Sequence, residues 1–338
     1  MLYDLLIQTN MPMFKGEGAT LGGTERQILT VAEKLASDGV NVGIIHSETD
    51  GTDKIVENVK HLNVYRHHLA KSKLRVYCNQ FSYMHNIHKG YYDLYGPHVP
   101  MLSPIEINSS EKSYNWIHNW YNSDNLIPRV YNSEAVKKYT TKKNKDDTVI
   151  HYMIPKGIDV KPLEQREDYL YWMSAFGKGL KEAILLYINL YEKGLRKPFY
   201  ISIPPQRLKK DVDIINIVLK DINKHGYPIT FLGELDYDNA MKTLSKASCL
   251  FRPSSPQETF GLVYLEANSL GVPVITCSND AGKEILIDKN NMFIEKTTEV
   301  EDILYWLSDI QDKKTSVDMS KFDPDFISHK WINLIEKN

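Results

Sequence analysis

The chain has 338 residues, of which 42% are hydrophobic and 25% are charged, and its formal net charge is -2. This composition excludes a mostly disordered chain, because the apolar content is that of an ordinary globular protein. The near-neutral charge gives no overall attraction to nucleic-acid phosphates or anionic lipid, although a local basic patch fits within it. At this length, two domains of roughly 150 to 180 residues are the default expectation.

The cysteines and the first residues bear on where in the cell the protein is expected to reside. Cys78, Cys249 and Cys277 are an odd number at wide spacings, which is typical of reduced thiols in a cytoplasmic protein and has no zinc-type pattern. The first strand-like run carries Asp4 early and lacks the basic region of a signal peptide. No run of about 18 apolar residues occurs, so no transmembrane segment is expected, while peripheral contact with a membrane stays open.

Short apolar runs alternate with amphipathic stretches along the first half, a pattern typical of a parallel sheet covered by helices. A helix is predicted over residues 24–37, with Thr24 and Gln27 as a capping box and Gly39 at its end. The predicted strands of this half are residues 3–7, 40–46, 63–66, 114–118 and 129–131. The predicted class is α/β.

The second half restarts the same alternation after a Pro/Gly turn at residues 154–159. The predicted strands here are residues 169–174, 199–203, 229–232, 249–252 and 272–276, and a helix is predicted over residues 237–247. We therefore divide the chain into an N-terminal domain, a C-terminal domain and a final helix that can pack back on the first domain, at residues 1–160, 161–322 and 323–338.

The segment from residue 251 to residue 276 is the most informative. A strand ends at Arg252, Pro253 and Pro256 hold an extended loop, and a helix begins close to Gly261 and stops at Gly271. In an open α/β sheet, ligands bind outside the carboxyl ends of the strands. A helix start at that edge offers unpaired N–H groups and a positive dipole end, so a diphosphate fits there.

Two acids flank this helix start. Glu258 and Glu266 are eight positions apart, but Glu258 precedes the helix, so the two side chains can converge on one ligand. Carboxylates only accept hydrogen bonds, which suits hydroxyl pairs on a ribose or a hexose. Taken alone, such a pair is more often a solvated loop acid and an ordinary helix acid.

The residues around Glu258 and Glu266 favour a functional role for the two acids. Pro253-Ser254, Glu258-Thr259-Phe260-Gly261-Leu262, Glu266-Ala267 and Gly271-Val272-Pro273-Val274-Ile275 resemble the signature of the retaining glycosyltransferases of family four. The resemblance implies the GT-B fold, in which two Rossmann-like domains face each other across a cleft. It implies that residues 1–160 form the acceptor-side domain and that residues 161–322 form the nucleotide-sugar-binding domain. It is specific for the family and almost silent about the acceptor.

Four further features are similar to family patterns. Gly22 and Gly23 resemble a glycine-rich loop that faces the donor from the first domain, and His118 resembles a histidine next to the transferred sugar. Lys178 keeps the Lys-Gly part of a Gly-Arg, loop, Lys-Gly pattern whose arginine is missing here. Arg207 is a candidate substitute for that arginine.

The resemblance implies a hexosyl- or pentosyltransferase that uses a nucleoside diphosphate sugar with retention of configuration and requires no metal or other cofactor. The implied catalytic residues are Glu258, His118 and Lys178. The implied donor-binding residues are Gly22, Gly23, Arg207, Glu258, Thr259, Phe260, Gly261, Leu262 and Glu266, with Glu258 on the sugar and Glu266 on the ribose.

The acceptor stays open among a glycan, a lipid-linked sugar, a small molecule and a modified base in nucleic acid, because function cannot be inferred from fold alone. Two other classes also stay open. One is a nucleotide-sugar hydrolase or epimerase of the same fold, and the other is a non-catalytic nucleotide-sugar binder.

Overall fold

A computed structural model describes residues 2–9, 13, 23–46, 53–63, 70–78, 98–102, 130–139, 145–154, 165–204, 216, 219–220, 222, 224–253, 258, 260–278, 280–295 and 297–337. The chain divides into two compact units. The first runs to Lys156 and takes in Met319–Asn338, and the second is Gly157–Asp318. Within these residues no helix is both long and apolar enough to cross a membrane.

The strands of the described part are β1 Leu2–Thr9, β2 Val42–His46, β3 Lys54–Val56, β4 Val59–Asn63, β5 Lys71–Cys78, β6 His98–Leu102, β7 Val130–Tyr131, β8 Thr148–Val149, β9 Leu170–Met173, β10 Phe199–Ile203, β11 Ile229–Glu234, β12 Cys249–Arg252, β13 Val274–Cys277 and β14 Met292–Ile294. The helices are α1 Gly23–Ser37, α2 Glu134–Tyr139, α3 Leu180–Glu192, α4 Tyr237–Lys246, α5 Leu262–Ser269, α6 Asp280–Ile285, α7 Val300–Ser308, α8 Met319–Phe322 and α9 Pro324–Lys337. A 3₁₀ turn, Phe176–Lys178, precedes α3.

The first unit contains an eight-stranded sheet in the order β3-β4-β2-β1-β5-β6-β7-β8. Its strands pair in parallel except for the antiparallel pair of β3 and β4. One face is covered by α1 and α9, because α1 presents Ile28, Val31 and Leu35 at helical spacing and α9 adds Trp331 to the same core. The C-terminal helix therefore belongs to this unit.

Sequence and structure agree for β1, β2, β7 and α1 and differ at β4 and β5, while β3, β6 and β8 were also not predicted. The strand predicted at residues 63–66 is instead Val59–Asn63, which follows a tight turn with positive φ at Glu57 and Asn58. The central strand β5 was not predicted, because its sequence is interrupted by charged residues, one of which, Arg75, is fully buried. The strand predicted at residues 114–118 lies outside the described residues.

The predicted capping box is wrong at Gln27. Its Nε2 donates to the main-chain oxygen of Met153 over 2.8 Å, and its Oε1 accepts from the Met153 N–H over 3.1 Å. The buried amide thus joins α1 to the segment after β8, and a tertiary contact takes the place of a local cap.

The second unit contains a six-stranded sheet in the order β11-β10-β9-β12-β13-β14, and all of its pairs are parallel. This is the strand order of a Rossmann fold. The predicted strands at residues 199–203 and 249–252 match β10 and β12. Trp172, Phe199 and Phe251 are fully buried under α3 and α7 in the core of this unit.

Candidate active site

The candidate site lies at the carboxyl edge of the second sheet, where β9 and β12 pair as neighbours. The chain continues from β9 through β10 to β11 on one side of this pair, and from β12 through β13 to β14 on the other. The strand order therefore reverses between β9 and β12, which is the position where open α/β sheets bind ligands. Lys178 follows β9 and Glu258 follows β12, so both belong to this edge.

Two helices begin at this edge with a glycine in the left-handed conformation. Gly179 precedes α3 with φ 94° and ψ 27°, and Gly261 precedes α5 with φ 89° and ψ 56°. Neither helix start receives a side-chain cap. Since the first N–H groups of a helix have no partner within the helix, these two turns present donors and a positive dipole end.

Gly261 is required for a second reason as well as its φ angle. A Cβ atom added there would lie 2.7 Å from Cε2 of Tyr264 and 3.2 Å from Cγ of Glu258. Both distances are too short for an ordinary contact, so only glycine fits. The turn thereby brings Glu258 and Tyr264 close to the first residues of α5.

The Glu258 carboxylate lies between two cations. Nη2 of Arg252 donates to Oε2 over 2.7 Å, and Nζ of Lys178 lies 3.9 Å from Oε1. The side chain of Glu258 is 13% exposed, that of Arg252 is 4% exposed and that of Lys178 is 38% exposed. Each oxygen of the carboxylate therefore has a cation on its side, with the buried Arg252 in direct hydrogen bond and Lys178 farther away.

Arg252 was missed as a site residue by sequence reasoning, which used it only to mark the end of a strand. Its guanidinium carbon lies 5.1 Å from the ring centre of Tyr264, and the Tyr264 hydroxyl shares a 2.8 Å hydrogen bond with Thr276 on β13. Burial acts to lower the pKa of Arg252, but Tyr264 and Glu258 together raise it above the ordinary value. Burial also raises the pKa of Tyr264, so the pair is a neutral phenol and a charged guanidinium.

The other predicted residues of this loop and helix differ in exposure. Phe260 is 1% exposed and Glu266 is 3% exposed, whereas Leu262 is partly exposed at the start of α5. The ring of Phe260 therefore anchors the loop, and only its main chain can face a ligand. Glu266 lies one turn along α5 from the opening residues.

The sequence of the second unit has a recognisable family pattern. Residues 220–321 match the family model described as Glycosyl transferases group 1. The matched stretch includes Arg252, Glu258 and Glu266 but not Lys178. No curated protein sequence is significantly similar to the chain.

Solved structures show the same fold over nearly the whole chain. The sucrose-phosphate synthase from Thermosynechococcus elongatus has a TM-score of 0.72 at 14% identity, over 98% of both chains. HepE from Anabaena, in complex with UDP and glucose, has a TM-score of 0.68 at 12% identity, over 99% of this chain and 100% of that one. The pneumococcal O-GlcNAc transferase GtfA, in complex with UDP and GlcNAc, has a TM-score of 0.64 at 11% identity, over 99% of both chains.

Residues 220–321 thus carry the sequence pattern of the group 1 glycosyltransferases, and the chain has the fold of solved glycosyltransferases. The chain has the GT-B fold with its Rossmann-like architecture, as the sequence resemblance implied. That resemblance was drawn from residues between 253 and 275, all of which lie within the matched stretch.

Several predicted site residues fall elsewhere. Gly23 is the exposed first residue of α1 in the first unit. Gly22, His118, Arg207 and Thr259 lie outside the described residues, and their roles stay predictions. Among the described residues, the structure brings together Lys178, Glu258, Gly261 and the start of α5, and it adds Arg252 and Tyr264.

Proposed function

We propose that the protein is a glycosyltransferase that moves a sugar from a nucleoside diphosphate sugar to a hydroxyl acceptor with retention of anomeric configuration. The observation that carries this proposal is the Glu258 carboxylate, held by Arg252 and Lys178 beside the start of α5 at the point where the strand order reverses. Two of the structural neighbours carry UDP and a sugar, which makes uridine diphosphate sugars the first donors to test.

The diphosphate is proposed to rest against the starts of α3 and α5. Gly179 and Gly261 leave no Cβ over these turns, and helix N-termini are ready-made anion sites. Lys178, next to Gly179, adds a positive charge that is accessible to a ligand. These groups would stabilise the negative charge that grows on the departing diphosphate.

The sugar is proposed to bind the Glu258 carboxylate. A carboxylate accepts about four hydrogen bonds, so its contact with Arg252 is compatible with bonds from sugar hydroxyls. Glu266 is proposed to receive the ribose hydroxyls, and His118 to lie on the side of the sugar or the acceptor. The main-chain groups of Thr259, Phe260, Gly261 and Leu262 complete the proposed donor site, with Gly22, Gly23 and Arg207 as further donor contacts.

Retention follows if the acceptor attacks from the face that the diphosphate leaves. The bond from the anomeric carbon to the diphosphate oxygen breaks with its electron pair going to the diphosphate. The acceptor oxygen then bonds to that carbon, and its proton passes to the leaving oxygen. Glu258, paired with Arg252, serves in this scheme to orient the sugar.

The acceptor class is proposed only as a hydroxyl carried by a glycan, a lipid-linked sugar, a small molecule or a modified base. The composition favours a cytoplasmic protein with at most peripheral membrane contact. No metal or other cofactor is included in the proposed reaction.

The Glu258→Gln substitution tests the proposal, since it keeps the shape of the side chain and removes its charge. We expect transfer to fall by about 100-fold or more, because loss of one fixed electrostatic contact in the transition state costs that much. Thermal shifts with a panel of nucleoside diphosphate sugars identify the donor, and NMR of the product reports its anomeric configuration.

Near-normal transfer by a folded Glu258→Gln protein would contradict the assignment of the site. An inverted product would remove retention from the proposal. Sugar released to water in the presence of every acceptor class would favour the hydrolase alternative, and donor binding without turnover would favour the non-catalytic binder.

A further inference from the structure

We propose that Arg252 is a positioning residue, which holds the Glu258 carboxylate in place against the donor sugar. Tyr264 supports Arg252 in this role. The inference rests on the proposed function of Glu258 and adds two residues to it.

The first support is the geometry of the pair. Arg252 is the last residue of β12, Glu258 follows six positions later, and the 2.7 Å bond from Nη2 to Oε2 closes the intervening loop. Hydrogen bonds between a guanidinium and a carboxylate are short, directional and roughly twice as strong as neutral ones. The bond thus fixes where the carboxylate lies as well as its charge.

The second support is that Arg252 is itself fixed from a neighbouring strand. Its guanidinium lies over the Tyr264 ring at 5.1 Å, and the Tyr264 hydroxyl is bonded to Thr276 on β13. A cation buried on an aromatic face gains more than an exposed one, because it is shielded from water. The chain of contacts from Thr276 through Tyr264 and Arg252 ends at Glu258.

The third support comes from comparing Arg252 with Arg166, a second buried arginine of the same unit. Arg166 serves the fold, since it donates to the main-chain oxygens of Gly271, Ile310, Gln311 and Lys313. Arg252 instead donates to the Glu258 carboxylate and binds no main-chain oxygen among the described residues. Its Nε and Nη1 atoms are buried there without a hydrogen-bond partner, whereas only Nε is so placed in Arg166.

A buried arginine with so few bonds is costly for stability. Replacing a buried ion pair by apolar residues is often neutral or stabilising, so stability alone does not explain why a guanidinium lies under this loop. A requirement for a fixed, charged Glu258 does explain it.

The inference predicts a change in the pH profile. An opposite charge nearby favours the charged form of a carboxyl group, and Arg252→Met removes that charge from beside Glu258. If transfer needs the Glu258 carboxylate in its charged form, the acid limb of kcat/KM then moves to higher pH. We expect this direction of shift for Arg252→Met, together with a loss in kcat of about 100-fold.

The experiment compares pH profiles of transfer for the full chain and its Arg252→Met, Arg252→Lys and Tyr264→Leu variants, with Arg166→Lys as the matched control.

Arg252→Lys keeps the positive charge, so the acid limb of its profile should stay near that of the unchanged protein while its kcat falls. Tyr264→Leu should shift the limb in the same direction as Arg252→Met, but less. Arg166→Lys should lower Tm without moving the limb. Added guanidinium ion should restore part of the activity of Arg252→Met.

A double-mutant cycle separates this inference from the proposed function. If Arg252 acts through Glu258, then Arg252→Met causes no further loss in a Glu258→Gln background. An active Glu258→Gln protein would overturn the proposed function itself. An inactive Glu258→Gln protein together with an Arg252→Met protein of unchanged acid limb and kcat within twofold would overturn the inference alone. If Arg252→Met does not fold, an Arg252→Lys protein with unchanged kcat would overturn it.

Discussion

The two cations beside Glu258 differ in what they can reach. Arg252 is 4% exposed and can act only through its protein neighbours, whereas Lys178 is 38% exposed and can touch a ligand. Their distances to the carboxylate agree with that division, at 2.7 Å for Arg252 and 3.9 Å for Lys178. We therefore propose that Arg252 holds Glu258 in place and that Lys178 stabilises the negative charge of the diphosphate.

Replacing Lys178 by methionine tests its side of this division. We expect Lys178→Met to reduce kcat by about 10-fold to 100-fold, since a positive charge that stabilises the leaving group is lost while the stem length is kept. The matched control is Lys181→Met on the first turn of α3, where the lysine is exposed and has no ion pair among the described contacts. Steady-state rates with saturating donor provide the measurement. Equal rates for the two variants would contradict a role for Lys178 in catalysis.

Sequence reasoning reached Glu258 and Gly261 through a local pattern of strand, loop and helix start, and Lys178 through its resemblance to a family pattern. It missed Arg252 and Tyr264, whose contacts join residues that no short pattern relates. Arg252 and Glu258 are six positions apart in the chain, and the contact of Tyr264 with Thr276 joins a helix to a strand. An arginine at the end of an otherwise apolar strand was the available signal.

The start of α5 is the element on which the proposed donor site depends. The sequence predicted this start to within a residue, because Gly261 precedes the helix and Gly271 follows it. Both glycines have positive φ, at 89° and 73°. The uncapped start of α3 was not predicted as an anion site. Its glycine, Gly179, was interpreted only as part of a Lys-Gly pattern, and its left-handed conformation is visible only in the structure.

A Gly261→Ala substitution tests how strictly this start is built. We expect a loss of stability larger than the roughly 1–2 kcal/mol that a left-handed alanine costs, because the added methyl group also meets Tyr264. Gly226→Ala is the matched control, since Gly226 has φ 81° with nothing within 4 Å of the added atom.

Urea unfolding of both proteins, followed by titration with nucleoside diphosphate, separates the two effects. Both variants should lose stability, and Gly261→Ala alone should also lose nucleotide affinity. Equal losses of stability with intact nucleotide binding in Gly261→Ala would contradict the proposed close approach of the ligand at this turn.

At the scale of the whole molecule, the order of secondary elements was easier to predict than the pairing of strands. Alternating apolar and amphipathic segments indicated an α/β protein and matched β10 and β12 to the residue. β5 pairs directly with β1 at the centre of the first sheet, yet no strand was predicted there, because Lys71, Lys73 and Arg75 interrupt its apolar residues. The two-unit division and the place of α9 beside α1 depend on contacts between distant parts of the chain.

The residues that the first unit is predicted to contribute to the site rest on the family resemblance alone. Gly22 and His118 were proposed from resemblance, and neither lies within the described residues. The donor side, within the second unit, therefore carries the proposal, and the acceptor follows only after the donor is known.

The measurement that tests the central claim most directly is a crystal structure of the protein with a bound nucleoside diphosphate sugar. The diphosphate should lie within hydrogen-bond distance of the first main-chain N–H groups of α5 and of Lys178, with a sugar hydroxyl on the Glu258 carboxylate. A nucleotide bound away from the edge formed by β9 and β12, with this turn of α5 in contact with protein groups alone, would contradict the account.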